Sequence, residues 1–363
     1  MILNHERLVA GCVVLRHFIN HSLGLNRDFA VSGFELSPPL LGAAAYNTYV
    51  ETVSNKTDTL YLRIKEGSTE MVLHSYLDSI KRLSNKFGWK DKNVMLAFDY
   101  TDEDFYGDVQ GIDIHGWTGE HGVTGKFKFL TCSIVSDDIP ERIPLISVPV
   151  HIGQYKSQAI MYCLCKIKEH IGSIDLILFD RGFYDKDLMH ELNQNTLPYL
   201  IFVPKSKDKK EILYPLGNGS HVAIYNEFTV NENKTRIVDE NLLVFLKQLY
   251  DPKSEKSYDW VFATNVEEVA LSNIVRTYKK RWRIETGYRV QDDATIKCKS
   301  KDMTIRYFLF VFQQMLQTHW VCNHKEEVSF KKFIIELHEV SKSLVANPKK
   351  SYKEPIKPRS SMA

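Results

Sequence analysis

Short, continuous runs of apolar residues in the middle of the chain predict a buried β-sheet. Residues 94–98 and 174–179 are the clearest runs, and each has the length and composition of a strand covered on both faces. Three further strand patterns and two helical patterns surround them: strands at 126–135, 142–150 and 199–203, and helices at 158–170 and 185–194. This order of elements predicts an α/β domain whose mixed sheet is flanked by helices.

Most of the remaining chain carries helical periodicity. Residues 1–90 are predicted to be mostly helical, with the apolar positions of residues 69–87 repeating at a period near 3.6. Within this region, Ser37-Pro38-Pro39 is predicted to separate two helices. A capping box at residues 264–267 predicts one helix that runs to about residue 288. Residues 205–263 are the exception, because a basic loop and a hairpin pattern predict a β-rich insertion there.

These patterns divide the chain into five predicted parts. They are a helical N-terminal region at 1–90, the first part of an α/β core at 91–204, the β-rich insertion at 205–263, core helices at 264–325 and a tail at 342–363. The tail has six basic residues, one acid and three prolines, a composition that predicts disorder.

The composition is that of an ordinary globular protein, with 363 residues, 44% hydrophobic and 25% charged. The formal net charge is only +2, yet residues 275–301 hold nine Lys or Arg and three Asp or Glu, a local balance of +6. No apolar run reaches the roughly 20 residues needed to span a bilayer, and the N-terminal residues lack a signal-peptide cleavage pattern. Six scattered cysteines without a CxxC pair predict buried thiols in a reducing cytoplasm.

Three carboxylates are candidates for a functional site. Asp99 and Asp180 each directly follow one of the two clearest predicted strands. Ligands of open α/β sheets bind at the carboxyl ends of strands, so both positions suit a functional residue. Alternatively, either Asp could merely open a turn or cap a helix. Glu285 continues the apolar stripe of the predicted long helix, which consists of Leu271, Ile274, Val275, Tyr278 and Trp282. A charge on that face needs a partner, and Arg281 or Arg289, four residues to either side, could pair with it at the edge of the core.

Carboxylates that converge from two strands and one helix suit hard divalent cations such as Mg²⁺. Two such ions about 3.5–4 Å apart stabilise the attacking and leaving oxygens of a phosphoryl displacement. The adjacent basic segment favours a polyanionic substrate such as nucleic acid. We therefore expect Asp99, Asp180 and Glu285 to converge, with Glu285 within about 10 Å of at least one Asp. Trp282, on the same stripe, is predicted to lie in the core rather than to stack on a flipped base.

Three segments resemble the signature blocks of DDE transposases of insertion sequences. The most similar branch is the one related to insertion sequence four, with its archaeal relatives, whose second block reads Asp-Arg-Gly-Phe/Tyr and whose third reads Tyr-x2-Arg-x3-Glu. The resemblance covers approximately residues 92–320. The matching segments here are Phe98-Asp99-Tyr100-Thr101-Asp102, Phe179-Asp180-Arg181-Gly182-Phe183-Tyr184 and Tyr278-Lys279-Lys280-Arg281-Trp282-Arg283-Ile284-Glu285.

The resemblance implies an RNase H-like fold in which Asp99, Asp180 and Glu285 hold two Mg²⁺ ions, or Mn²⁺ in their place. Such a transposase cleaves DNA at the transposon ends, and the freed 3′-hydroxyl then attacks target DNA. The implied partners are double-stranded DNA, both the terminal inverted repeats and the target, and a second copy of the chain on that DNA. Residues 1–90 would recognise the repeats, and the protein would act at the nucleoid in the cytoplasm, without a membrane.

The resemblance also implies that Tyr278 and Arg281 contact DNA near the scissile phosphate; Arg289 and Lys297 in the same basic segment are further candidates. One position departs from the family pattern. Seven residues after the Glu, where the family has Lys, this chain has Asp292, and the nearest downstream Lys is Lys297. Either Lys297 makes the DNA contact or this subgroup does without it.

Two other functions fit the same residues. An RNase H-like nuclease would hydrolyse DNA with the same carboxylates but without strand transfer. A DNA-binding relic of a transposase would keep the fold and the basic segment but not the catalysis. The presence of all three carboxylates favours an active enzyme, whereas Asp292 at the position of the family Lys is consistent with a relic that binds DNA without catalysis.

Overall fold

The computed structural model describes residues 3–25, 32–119, 122–137, 139, 142–232, 234–267 and 273–347. The chain forms two compact units: Lys81–Gly287, and Met1–Ile80 together with Tyr288–Ala363. The described helices are α1 (His5–Ser22), α2 (Gly33–Tyr46), α3 (Thr57–Glu66), α4 (Thr69–Phe87), α5 (Lys156–Ile167), α6 (Lys186–Gln194), α7 (Lys207–Leu213), α8 (Ile274–Lys279), α9 (Trp282–Gln291), α10 (Met303–Asn323) and α11 (Phe330–Ala346).

All the described strands belong to one sheet in the first of these units. They are β1 (Val94–Phe105), β2 (His115–Gly116), β3 (Gly125–Ile134), β4 (Ile143–Val150), β5 (Ile174–Phe179), β6 (Tyr199–Phe202), β7 (His221–Glu232), β8 (Thr235–Asp251) and β9 (Lys256–Thr264). The central order is β4-β3-β1-β5-β6. β3 is antiparallel to both β1 and β4, whereas β5 is parallel to β1 and β6. The predicted order of strands and helices in this core is confirmed.

The predicted β-rich insertion is not separate from the core. β6 pairs antiparallel with β9 from Leu200 opposite Thr264 to Phe202 opposite Phe262. β9 in turn pairs with β8, and β8 with β7, so the three strands extend the core sheet by main-chain hydrogen bonds. The residues of the predicted insertion therefore lie in the same compact unit as the core, Lys81–Gly287, whereas residues 288–325 lie in the other unit.

The two faces of the sheet pack against different helices. One face carries a buried apolar cluster that includes Ala97 of β1, Leu178 of β5 and Tyr278 of α8. The opposite face carries the stacked rings of Phe98 and Phe179, with centroids 5.5 Å apart. This second face is flanked by α5, whose buried Cys163 lies near Cys132 of β3, the residue paired with Phe98. Alternation of side chains along each strand therefore fixes which residues face α8.

The predicted helix break at Pro38 and Pro39 is wrong, because both prolines lie inside α2. A capping box between Ser32 and Glu35 begins this helix. Pro38 has no N–H to donate to the carbonyl of Phe34, but the Ser37 hydroxyl donates to that carbonyl at 3.2 Å and to the Gly33 carbonyl at 2.6 Å. The side chain thus replaces part of the missing main-chain bonding.

Two further predictions are corrected at the ends of elements and on the surface. The predicted disordered tail began at residue 342, but α11 continues to Ala346; residues 348–363 lie outside the described residues. Cys165 is exposed, although Cys12, Cys132 and Cys163 are buried as predicted. Within the described residues, no helix combines the length and apolarity needed to cross a membrane.

Candidate metal and DNA site

Asp99 and Asp180 come from two neighbouring parallel strands, each directly after the last residue of its strand that takes part in the parallel pairing. The parallel pairing of β1 and β5 ends at Phe98 opposite Phe179, and the two Asp residues come next. β5 ends there as predicted, but β1 continues past Asp99 because it remains paired with β3. The prediction that Asp99 ends its strand is therefore wrong, although its position at the edge of the parallel pairing is as expected.

Both Asp side chains lie on the face of the sheet that α8 covers. Side chains two residues apart along a strand share a face, so Asp99 follows Ala97 and Asp180 follows Leu178. Ala97 and Leu178 belong to the apolar cluster with Tyr278 of α8. The two carboxylates therefore stand at the border of that cluster, where the apolar packing ends.

The predicted long helix is two helices. Thr264 is the last residue of β9, residues 268–272, including Leu271, lie outside the described residues, and α8 begins at Ile274. Between α8 and α9 the main chain is tightened: the N–H groups of Lys280, Arg281 and Arg283 each bond to a carbonyl three residues earlier. This joint interrupts the regular helical ladder and changes which side chains point toward the sheet.

Arg281 points from the joint toward the carboxylates. Its side chain is only 4% exposed, Nη2 donates to Glu285 Oε1 at 2.6 Å, and Nη1 lies 3.5 Å from Asp99 Oδ2. One guanidinium therefore reaches both carboxylates, although the two residues lie far apart in the sequence. The pairing of Arg281 with Glu285 that the spacing allowed is present, and Asp99 joins it.

Tyr278 holds the second Asp. Its hydroxyl donates to Asp180 Oδ1 at 3.2 Å, and its ring is almost completely buried in the cluster against α8. Burial raises the pKa of Tyr278, so the phenol keeps its proton and remains a donor. The arginine and the tyrosine of the third block thus each contact candidate carboxylates directly.

The charge balance at Asp99 fits a cation. The pKa of Asp99 is raised to about 6, mainly by burial; Arg281 and the main-chain N–H of Tyr100 lower it, whereas the negative charges of Glu285 and Asp180 raise it. A divalent cation would stabilise the charged form, and carboxylate oxygens are the donors that Mg²⁺ prefers. Among the residues that the structure describes, however, no three His, Cys, Asp or Glu side chains form a group close enough to hold a metal. Convergence of all three carboxylates on shared ions therefore stays a prediction.

An aromatic and basic cavity of about 300 Å³ adjoins Asp180. Trp282 lies on its wall and is 42% exposed, so the prediction that this ring is core is wrong. The joint turns Trp282 away from the stripe formed by Ile274, Val275 and Tyr278, which are buried as predicted. The other lining residues are Arg181, Phe202, Lys205, Tyr258, Asp259, Trp260, Tyr278 and Arg281.

Several residues of this cavity were not singled out from the sequence. Arg181 was part of the second signature block, and Lys205 belonged to the basic loop, so each had a local signal. Tyr258 and Trp260 had none, since alternation along β9 indicates only that they share a face. They reach the cavity because β9 is paired into the core sheet.

The remaining DNA-contact candidates lie in the other unit. Arg289, in the second half of α9, and Lys297 are both exposed. The Lys297 main-chain N–H donates to the Thr48 carbonyl at 3.0 Å, and its side chain lies at the surface. Asp292, at the position of the family Lys, lies just after the end of α9 in a short 3₁₀ turn, and its carbonyl accepts from the side chain of Asn47 at 2.9 Å.

Comparisons with known proteins agree with the resemblance in the sequence. Residues 155–316 match the family described as transposase DDE domain, a region that includes Asp180, Tyr278, Arg281 and Glu285 but not Asp99. The cryo-EM structure of a piggyBac transposase synaptic complex with hairpin DNA has a similar fold: the TM-score is 0.56 and the identity 13%, over 99% of this chain and 84% of that chain. This likeness confirms the predicted fold class at the level of a mixed α/β sheet flanked by helices. No match to a curated protein sequence was found.

Proposed function

We propose that this protein is a transposase that cleaves DNA at transposon ends and transfers the freed strand into target DNA. The observation that carries the proposal is the contact network in which Arg281 binds Asp99 and Glu285 while Tyr278 binds Asp180. It ties together three carboxylates from two strands and one helix within the region that matches the transposase DDE domain, apart from Asp99. The substrate class follows from the basic segment around Glu285.

Asp99, Asp180 and Glu285 would hold two Mg²⁺ ions, and Mn²⁺ would fit the same oxygen donors. When bound, these ions supply the Lewis acidity that activates the attacking oxygen and stabilises the leaving oxygen of the phosphodiester. The chain's own residues orient the donors. Arg281 contacts both Asp99 and Glu285, and the phenol of Tyr278 donates a hydrogen bond to Asp180.

The cavity beside Asp180 suits part of a nucleotide. The exposed ring of Trp282 offers a flat apolar surface on which a base can stack, and Arg181 and Lys205 supply positive charge for a phosphate. The ammonium of Lys279 lies 5.7 Å from the Trp282 ring centroid and adds to that charge. DNA bound there would place a phosphodiester near the carboxylates.

The finer family assignment is part of the same proposal. The residues Tyr278, Arg281 and Glu285 support the branch related to insertion sequence four, with its archaeal relatives, because their spacing is that of its third block. Residues 1–90 would recognise the terminal inverted repeats, and two copies of the chain would assemble on the DNA. Arg289 and Lys297, both exposed, would contact its phosphates.

Replacing Asp180 with Asn tests the proposal. The substitution keeps the size of the side chain but removes the charge that binds a cation, so cleavage of DNA carrying the transposon ends should fall by several orders of magnitude in Mg²⁺. DNA binding should persist or strengthen, because one negative charge fewer faces the phosphates. Asp175→Asn is the matched control, since Asp175 is exposed near the other end of the same strand; it should cut at the wild-type rate.

The same assay separates the alternatives. A nuclease without strand transfer would cut the DNA in Mg²⁺ but would yield no product in which transposon and target strands are joined. A relic would bind DNA and never cut it. If Asp180→Asn protein cuts as fast as the wild type, Asp180 is not a metal ligand and the proposed site is wrong.

A further inference from the structure

The joint between α8 and α9 determines where Arg281 and Glu285 point. A continuous helix would fix the direction of α9 by its own hydrogen-bond ladder. Here the ladder is interrupted at residues 280–283, so the direction of α9 depends on contacts made from outside the two helices. The segment that follows β3 supplies such contacts.

Asp137 binds both cations that flank Arg281 at the joint. Its Oδ2 accepts from Lys280 Nζ at 2.6 Å, and its Oδ1 accepts from Arg283 Nη2 at 2.6 Å. These two cations lower the pKa of Asp137, so the carboxylate stays charged. Arg283 is held further by the main chain: its Nη1 donates to the carbonyl of Val135 at 2.8 Å, with the Ser136 carbonyl at 3.3 Å.

The segment that carries Asp137 is itself bound to the strand that carries Asp99. The N–H of Val135 donates to the carbonyl of Met95 at 2.9 Å, and the N–H of Met95 donates to the Ser136 hydroxyl at 2.6 Å. Met95 lies on β1, four residues before Asp99. The contacts therefore form a closed path from β1 through residues 135–137 to the joint, and from the joint through Arg281 back to Asp99.

We propose that Asp137 is a positioning residue for the carboxylate site. By binding Lys280 and Arg283 it sets the direction of α9 relative to β1, and so delivers Arg281 and Glu285 to Asp99. The function of that alignment rests on the proposed transposase activity, but the alignment itself is a property of the folded chain. Asp137 touches none of the three candidate metal ligands in these contacts; it acts through Lys280, Arg283 and the joint.

The test compares Asp137→Asn, which removes the charge, with Asp137→Glu, which restores it on a longer side chain. The control is Asp113→Asn, which removes the charge of another partly exposed Asp whose carboxylate contacts a side chain, the imidazole of His151 at 2.7 Å. Two quantities are measured on the full chain: hydrogen–deuterium exchange of the amides at 284–288, and the rate of Mg²⁺-dependent cleavage of transposon-end DNA as a function of Mg²⁺ concentration. The thermal midpoint and DNA affinity are measured alongside.

For Asp137→Asn we expect exchange at 284–288 to rise by about fivefold, the magnitude of an ion pair that is partly open to solvent. The Mg²⁺ concentration for half-maximal cleavage should rise by a similar factor, while DNA affinity and the thermal midpoint stay near wild type. Asp137→Glu should recover most of both losses, and Asp113→Asn should show neither.

The failure of this inference differs from that of the proposed function. If exchange at 284–288 in Asp137→Asn equals the wild type, or if Asp137→Glu behaves like Asp137→Asn, Asp137 does not position the helix through its charge. If the wild-type protein cuts no DNA, the proposed function fails, and the exchange measurement still decides whether Asp137 sets the direction of α9.

Discussion

Arg281 shows how one residue can stabilise several like charges. Its guanidinium is buried and contacts Asp99 and Glu285, and its charge also acts on nearby Asp180. Negative charges that share a small volume repel one another, and burial makes each more costly. The positive charge of the guanidinium offsets that repulsion. The planar guanidinium presents its donors in a rigid fork that matches carboxylate geometry, which is why arginine suits this position.

Replacing Arg281 with Ala should therefore destabilise the protein. We expect a loss of about 2 kcal/mol in the free energy of unfolding, below the value for a fully buried pair because Glu285 is partly exposed. Urea unfolding at neutral pH measures it. Arg289→Ala is the control, since Arg289 is exposed on α9, the helix that follows Arg281, and should change stability by no more than about 0.5 kcal/mol. Equal stability of the two variants would contradict the proposed role of Arg281.

At the scale of elements, a β-bulge shapes the cavity wall. The pairing of β8 with β9 shifts between Leu246 and Leu249, so that two residues of β8, Lys247 and Gln248, stand opposite Asp259 alone. Gln248 adopts a positive φ of 45°. Its main-chain N–H and its side-chain amide both donate to Asp259 Oδ1, at 2.9 and 3.0 Å. A β-bulge changes the direction of the side chains near it. Here Asp259, the residue opposite the bulge, lines the cavity.

Two substitutions at Gln248 separate the backbone from the side chain. Gln248→Gly and Gln248→Ala both lose the side-chain bond to Asp259, but only Gly adopts a positive φ without strain. We expect the Gly variant to be more stable than the Ala variant by about 1 kcal/mol in thermal unfolding. At Lys247, beside it in the bulge, no positive φ is present and the order should reverse, with Ala more stable than Gly. A Gly variant of Gln248 less stable than its Ala variant would rule out strain there.

At the scale of the whole molecule, the distribution of charge matters more than its sum. The chain has 47 Lys and Arg against 45 Asp and Glu, yet residues 275–301 concentrate a balance of +6. The structure divides those cations by role. Lys280, Arg281 and Arg283 are bound to carboxylates or carbonyls, whereas Arg289 and Lys297 are exposed. Only the exposed ones can exchange counterions for DNA phosphates without breaking an internal contact.

We therefore expect Arg289→Ala and Lys297→Ala each to lower the salt dependence of DNA binding. The slope of log affinity against log salt concentration should become shallower by about one unit for each variant that loses a phosphate contact. Fluorescence anisotropy with a labelled duplex at several salt concentrations measures the slope. Lys168→Ala, at an exposed position just after α5 on the opposite face of the sheet, should leave it unchanged. An unchanged slope for Lys297→Ala would favour a subgroup that does without the lysine contact.

The sequence by itself determined the elements whose signal is local. A run such as residues 174–179 is buried on both faces wherever it lies, so its strand and the Asp that follows it could be predicted. The three signature blocks likewise identified Asp99, Asp180, Tyr278, Arg281 and Glu285 from short segments. The mixed sheet followed from the order of these elements, since a parallel neighbour requires a crossover such as α5.

Only the tertiary structure decided what depends on partners distant in the chain. Hydrophobic periodicity predicted one helix at 264–288, because a pattern of apolar residues reports a shared face and not the contacts that interrupt it. The joint between α8 and α9 exposes Trp282. At this joint Lys280 and Arg283 contact Asp137, which lies 143 and 146 residues before them in the sequence. Arg281 reaches Asp99 across 182 residues. Such pairs leave no local periodicity, because either partner alone looks like an ordinary surface charge.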